Sequence, residues 1–423
     1  MKRTVVTFFP HNPIPPQSGA HRRCLEVLTA LRALDCETTL VSSELTSYPP
    51  WRPDSVRQLE REYGALVRLH RPGLRDYLVA GACFLYYRLS GRRMPVDSRA
   101  HAPPGLCRLF DAVLDDVAPD IVLINYSCFD RLLDHVRHRD PLRVIDTYDL
   151  WSLNVAMKQA LARQVGHRPA SLDAIPDRVL DERFYDRQAL APSAEEFRIV
   201  DRYDCTLAIT RSEADLIGRH APHTRVVHVP MTLPVAEAGN SYDGPPLFVA
   251  GPNPFNLQGY CYFVRKVLPR LRERVPSFRL TVAGPYCAYL PPTDGVSLAG
   301  FVPDLGAAYA KARFAICPVF GGTGQQIKIV EAMAHGVPVV ALRAPAEQSP
   351  IRHGVNGLVA EDAAQFAAHC AVLWNDRELC ASLGRAAREA VGHDLSPALL
   401  RRLLADVLAT RRRRRVGFDT RCP

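Results

Sequence analysis

Gly321-Gly322-Thr323-Gly324-Gln325-Gln326-Ile327-Lys328-Ile329-Val330-Glu331-Ala332-Met333-Ala334-His335-Gly336-Val337-Pro338-Val339-Val340 reads as loop, helix, turn and strand. Its glycines allow a tight turn after the apolar run Phe314 to Val319, Gly336 suits the left-handed residue that closes a helix, and Pro338 follows just beyond. A glycine turn that opens a helix leaves amide N–H groups unpaired at the positive end of the helix dipole, which favours a phosphate oxygen. Lys328 and Glu331 stand one helical step of three apart and share a face, and Gln325 extends that column by a turn. Such a column matches a ligand with a phosphate end and a hydroxyl end: a sugar nucleotide whose diphosphate meets Lys328 while its ribose hydroxyls donate to Glu331. The same two residues also fit a plain surface ion pair.

At 423 residues the chain is long for one core, and two domains of about 200 residues each are expected. No stretch reaches the roughly 18 uninterrupted apolar residues of a membrane span. The start, Met1-Lys2-Arg3 and a short run to Phe9 broken by Pro10, is too short for a signal peptide, so a cytoplasmic protein is expected. The 12 cysteines are scattered singly, without Cys-x-x-Cys pairs or a companion His at metal spacing, which points to reduced thiols and no metal site. Lys and Arg exceed Asp and Glu by nine, mostly through Arg, but no aromatic-basic platform accompanies them, and nucleic acid is not an expected partner.

Outward from the opening stretch, the chain twice begins a strand, loop and helix. Lys2 to Phe9 is a short β-rich run, followed by a proline-stiffened loop ending in Gly19-Ala20-His21-Arg22-Arg23 and a helical leucine pattern at 25, 28, 31 and 34. Leu247 to Gly251 repeats the pattern, its loop running Gly251-Pro252-Asn253-Pro254-Phe255-Asn256-Leu257-Gln258-Gly259. In doubly wound sheets such loops, at the carboxyl ends of strands, bind the ligand. Further strands are expected at Thr38 to Ser43, Ala65 to Leu69, Asp120 to Asn125, Leu142 to Asp146, Asp204 to Thr210, Val226 to Pro230, Arg279 to Gly284 and Val296 to Val302. Tyr77 to Leu89 is the most apolar patch of the first half, flanked by Arg71, Arg75, Arg88, Arg92 and Arg93; a buried helix is expected, with an interfacial helix on a lipid surface as the alternative. Trp151 to Ala191 reads as polar and proline-broken, and Leu233 to Pro246 as a linker. Ser396-Pro397 starts an amphipathic helix, and Arg411 to Arg415 opens a basic tail over 411–423.

The run from Gly322 to Val340 resembles the donor-binding segment of retaining GT-B glycosyltransferases of family 4, with its glycine loop, basic residue, Glu-Ala-Met-Ala stretch and Gly-x-Pro-Val-Val. The resemblance is continuous from Leu247 to about Val391 and patchy before, where it rests on the Gly19 loop and on Asp146-Thr147-Tyr148-Asp149-Leu150-Trp151-Ser152. It implies an α/β fold of two Rossmann-like doubly wound domains facing a cleft. Residues 1–235 are then the acceptor-side domain, with the helix at 396–410 packing back onto it, and 246–395 the donor-binding domain. The implied activity is hexosyltransferase-like transfer of a sugar from a nucleotide-diphosphate donor to a hydroxyl acceptor, with retention and no cofactor; the chain lacks the Asp-x-Asp pair that holds a divalent cation in other glycosyltransferases, so metal independence is expected. A glycan, lipid-linked or secondary-metabolite acceptor fits, as in bacterial polysaccharide biosynthesis.

By the same resemblance Gly19, Asn253, Gly322, Thr323, Gly324, Gln325, Lys328 and Glu331 are expected to bind the donor; Arg23, Tyr148 and Asp149 the acceptor; and Asp149, Lys328 and Glu331 to act in catalysis. Asp149 also fits a helix N-cap. The chain departs from the family at Thr323, where a Glu is frequent, at Ala20 for a second glycine, at Tyr148 for a His, and at Asn253 and Gln258, where an Arg and a Lys hold the diphosphate. The departures at Thr323, Tyr148, Asn253 and Gln258 suit an alternative, a degenerate sugar-nucleotide-binding subunit that supports a partner transferase. The net charge, the arginines around Tyr77 to Leu89 and the basic tail suggest peripheral contact with an anionic membrane.

Overall fold

The apolar runs pair into two all-parallel sheets, as strands buried on both faces do. A computed structural model describes residues 2–45, 47–138, 141–165, 171–237, 239–251 and 253–410; the Arg411 to Arg415 tail and Pro252 lie outside the described residues. The first sheet holds β1 (Thr4–Phe8), β2 (Glu37–Ser43), β3 (Ala65–His70), β4 (Ile121–Asn125), β5 (Leu142–Asp146), β6 (Cys205–Ala208) and β7 (Arg225–His228), in the order β3-β2-β1-β4-β5-β6-β7. Val6 of β1 lies opposite Thr39 on one side and Val122 on the other, so the strand order reverses direction between β1 and β4. The second sheet holds β8 (Leu247–Val249), β9 (Leu280–Ala283), β10 (Val296–Gly300), β11 (Ala315–Cys317), β12 (Val339–Leu342) and β13 (Gly357–Ala360), in the order β10-β9-β8-β11-β12-β13. Its order reverses between β8 and β11. Ligand crevices of open parallel sheets form at such switch points, beyond the carboxyl ends of the strands. The loops after β1 and β11, which carry the glycines quoted above, leave from these two points.

The last helix, Pro397–Leu408, is capped by Ser396, whose hydroxyl accepts from Leu399 N. Its apolar side chains Leu400, Leu404 and Val407 join Val5, Leu31 and Val144 in the core beneath the first sheet. The chain therefore runs from the first sheet to the second and back.

Two stretches differ from their sequence reading. Trp151–Val165 is an α-helix, the first part of the segment read as polar and proline-broken. Met157, Ala160 and Leu161, with Ile175, Val179 and Phe184 further on, pack into the core of the second sheet. Arg265 then fastens the segment by donating to the carbonyls of Leu172 and Ile175, and Tyr262 donates to Glu182. The other is Leu74–Ser90, expected as a buried helix; it is helical, but only Asp76 and Ala80 are buried, because the rest of the chain covers one narrow face of it.

Candidate functional site

The helix Ile327–Ala334 ends as its sequence requires: Gly336 has φ 68°, Val337 N–H bonds the Ala332 carbonyl at 2.9 Å and Gly336 N–H that of Met333 at 2.9 Å, the paired bonds of a Schellman motif. Its start is different, since the N-cap Gln326 makes no side-chain capping bond. Just before it, Gly322 takes φ 112°, a conformation open to glycine, and the Thr323 hydroxyl is buried without a partner among the described residues. An uncapped helix end and an orphaned hydroxyl therefore sit together.

Lys328 and Glu331 do not pair with each other, which removes the surface ion-pair reading. The Lys328 ammonium donates to Asn256 Oδ1 and lies 5.1 Å from the centre of the Phe248 ring. Burial there lowers its pKa from the ordinary lysine value. Asn256 is itself fixed, its amide donating to the Gly251 carbonyl at 2.8 Å. Glu331 meets Arg22 Nη1 at 2.5 Å across the cleft and accepts from the Tyr309 hydroxyl at 3.4 Å. Arg22 was not among the expected site residues. It neighbours Arg23 on the helix Gly19–Ala33, and successive residues there differ by about 100° in direction, so the two meet different surroundings.

Arg23 is the inward one, which corrects its expected role at the acceptor. It is 2 % exposed, donates to Asp146 Oδ2 at 2.7 Å and to the Val229 carbonyl at 2.9 Å, and is thereby committed to the protein. Tyr148 is corrected likewise: it lies buried with φ 61°, its ring stacked 4.5 Å from Tyr126 and 6.0 Å from Phe9. Its hydroxyl has no partner among the described residues. Gln325 precedes the helix and is not in its first turn; its side-chain oxygen accepts from Met231 N at 2.8 Å. Asn253 caps the helix Pro254–Tyr262, accepting from Phe255 N at 3.1 Å. Gln258, where a cation was missing, is bound by Tyr185, whose hydroxyl donates to Oε1 at 2.8 Å, and by the Val179 carbonyl at 2.8 Å.

Asp149 keeps a free oxygen. The helix it precedes is capped instead by Glu196, which accepts from Trp151 N at 2.8 Å and Ser152 N at 2.9 Å, so the N-cap alternative does not hold. Asn154 donates to Asp149 Oδ2 at 2.8 Å, while Oδ1 has no partner among the described residues. Burial pushes this carboxyl up to about 7, against the opposing pull of Lys158. Glu213, held by Thr147 at 2.5 Å and Ile209 N at 3.2 Å, is raised by burial to about 8.

The two sides meet closely. A Cβ on Gly19 would lie 3.3 Å from Ile327 Cγ2, and one on Gly324 would lie 3.0 Å from the Tyr148 carbonyl oxygen. On Gly321 it would lie 2.5 Å from the Phe255 ring and 2.8 Å from Tyr185. A side chain at Gly321 would therefore force its neighbours apart, while the contacts at Gly19 and Gly324 are merely tight. Beyond Asp149 a cavity of about 310 Å³ is lined by Lys158, Leu161, Val179, Leu257 and Tyr286, between the helices Trp151–Val165 and Pro254–Tyr262. The structure thus brings Gly19, Asp149, Gly324 and Glu331 to the contact between the loops of the two sheets, with Gly322, Thr323 and Lys328 on the same loop and helix, and turns Arg23, Tyr148, Asn253 and Gln325 to contacts within the protein.

Two parallel-sheet, Rossmann-like domains meeting at such a cleft define the GT-B fold. Residues 246–376 match the model of a family described as Glycosyl transferases group 1. Among solved structures, sucrose-phosphate synthase from Thermosynechococcus elongatus superposes with a TM-score of 0.66 at 16 % identity, over 96 % of this chain and 98 % of that one. HepE from Anabaena, in complex with UDP and glucose, gives 0.60 at 13 % identity over 96 % and 99 %. A TarM variant from S. aureus, in complex with fondaparinux, alpha-GlcNAc-glycerol and UDP, gives 0.62 at 10 % identity over 96 % and 100 %. No curated protein matches the chain in sequence.

Proposed function

We propose that the chain transfers a sugar from a nucleotide-diphosphate donor to a hydroxyl acceptor, with retained configuration and without a metal ion. The observation that carries this reading is the start of the helix Ile327–Ala334, without a side-chain cap, beside the buried hydroxyl of Thr323, which has no partner among the described residues, and with Lys328 in its first turn. Amide dipoles and a desolvated ammonium stabilise the charge that develops on a departing diphosphate. Glu331 accepts from ribose hydroxyls once Arg22 gives way. Asp149 accepts from the acceptor hydroxyl through its free oxygen. The family match over 246–376 and the UDP in the HepE and TarM complexes support a nucleotide donor and make uridine the first base to test. Glycan, lipid-linked and small-molecule acceptors all fit this reading, as do bacterial polysaccharide biosynthesis and a cytoplasmic enzyme with peripheral contact at an anionic membrane.

Calorimetric titration with UDP-glucose and other nucleotide sugars, followed by assay of donor hydrolysis with and without EDTA, tests the reading. Selective binding and chelator-resistant turnover are expected. A chain that binds no nucleotide sugar is not this enzyme, one that binds but neither hydrolyses nor transfers is a supporting subunit, and turnover restored only by a divalent cation overturns the metal-free step.

A further inference from the structure

The helix Leu74–Ser90 turns its more apolar side to solvent. Leu74, Tyr77, Leu78, Phe84, Leu85 and Leu89 follow a helical stripe, and all are exposed by half or more, Leu74 and Leu89 by 76 %. Opposite them, Asp76 and Ala80 point into the protein. A surface of this kind on a folded chain marks contact with something else. The charges say with what. Arg75 stands at one end of the stripe, with Arg71 beside it paired to Glu44 at 3.9 Å, and Arg88, Arg92 and Arg93 stand at the other. Asp76 is the one acidic residue between 71 and 93, and it is spent internally, accepting from Gly73 N at 3.0 Å and Gly105 N at 2.7 Å beside His70 at 3.2 Å. The exposed side is therefore apolar along its length and cationic at both ends.

We infer that this helix docks the protein onto an anionic lipid surface, lying flat with its leucines and aromatic rings among the acyl chains and its arginines at the headgroups. Seventeen residues span about 26 Å at 1.5 Å per residue, a length suited to lying in the interface. No helix among the described residues is long and apolar enough to cross a membrane. A second copy of the chain is a poorer occupant, because face-to-face pairing would set arginines against arginines. The helix follows β3, whose carboxyl end lies on the same rim of the parallel sheet as the loops after β1 and β5. The inference rests on exposure and charge and stands whether or not the chain transfers sugar.

Co-sedimentation of the full chain with vesicles tests it, comparing phosphatidylcholine alone with equal parts phosphatidylcholine and phosphatidylglycerol. Binding to the anionic vesicles is expected, weakened by high salt and reduced at least about tenfold by the double substitution Leu78→Glu and Leu85→Glu. Because both positions are exposed, the variant should melt with the wild type, and circular dichroism checks this. A chain lacking 411–423 should still bind. No binding to anionic vesicles, binding undiminished in the double variant, or binding lost with the tail alone each overturns the assignment. So does a concentration-dependent dimer, seen by light scattering, that the double substitution abolishes, since it would make a second copy the occupant.

Discussion

The helices Gly19–Ala33 and Ile327–Ala334 both start from glycine turns at the switch point of a parallel sheet, and they face each other closely enough for Gly19 to abut Ile327. Their first turns are satisfied differently. Ser18 caps the first, its hydroxyl accepting from His21 N at 3.3 Å, and the adjoining Arg23 is consumed by Asp146. Among the described residues no side chain caps the second, and the nearby Thr323 hydroxyl is buried without a partner. Unsatisfied buried polar groups cost about 1–3 kcal/mol each, so a protein retains them where a ligand completes them. The two halves of the fold repeat one plan, and both leave buried polar atoms without a partner among the described residues, so it is the side-chain cap, present at Ser18 and missing at Gln326, that separates the two helix starts.

The largest effects should come from the open side. Lys328→Ala and Glu331→Ala are each expected to lower kcat/KM by roughly ten- to a hundredfold, the worth of a charge-assisted contact of about 1.5–3 kcal/mol in a dry cleft. The melting temperature should stay within a few degrees of wild type. Donor affinity unchanged by calorimetry in both variants would break the assignment of this side to the nucleotide sugar.

A smaller effect tests the first domain. The Asp149 carboxyl is raised to about 7, whereas in the unfolded chain it titrates near 4. Between roughly pH 4 and 7 the native state holds a proton that the unfolded state has lost, so this group makes stability fall as pH rises through that window. Activity should do the opposite, because the ionised carboxylate is the better acceptor for an acceptor hydroxyl. Asp149→Asn should therefore lose about tenfold in kcat/KM at pH 8 and little at pH 5.5, flattening both slopes. Glu213, raised to about 8 by burial and in part by Asp149 itself, moves down in Asp149→Asn, so the stability difference between wild type and variant carries both groups and the activity profile is the quantity to read. An ascending activity limb that persists in Asp149→Asn assigns it to another group.

Much of this was legible in the chain. Strands such as Ile121–Asn125 and Leu142–Asp146 announced themselves as apolar runs, and Gly336 and Ser396 marked a helix end and a helix start because their backbone roles are local. What escaped was set by distant partners. Arg22 and Arg23 are indistinguishable in sequence, and only the orientation of their helix decides which meets Asp146 and which meets Glu331. Asp149 could be a cap or a ligand group until Glu196, 47 positions on in the chain, proved to hold the helix end. Gln258 looked like a lost cation, and its true company, Tyr185, comes from a segment whose helix was hidden behind prolines and charges. The Leu74–Ser90 helix misled in another way: apolar content implies burial only when the chain itself supplies the cover.

The finest test exchanges the two caps. Ser18→Ala removes an N-cap hydroxyl and should cost about 1 kcal/mol of stability. Donor affinity should be unchanged, because that helix end is already closed to ligand. Gln326→Asp does the reverse: it supplies a capping carboxylate to the second helix, and an anion there is favourable to the dipole, so stability should rise by up to about 1 kcal/mol. The same carboxylate occupies the amides a diphosphate would use and repels it, which should weaken donor binding by about fivefold, again near 1 kcal/mol. Melting curves and calorimetric titrations on the two variants give four numbers, and the pattern matters more than any one of them. If Ser18→Ala weakens the donor as much as Gln326→Asp does, both helix ends bind the anion and the contrast between them fails. If Gln326→Asp gains stability while keeping wild-type affinity, the open end of Ile327–Ala334 is an uncapped helix and nothing more.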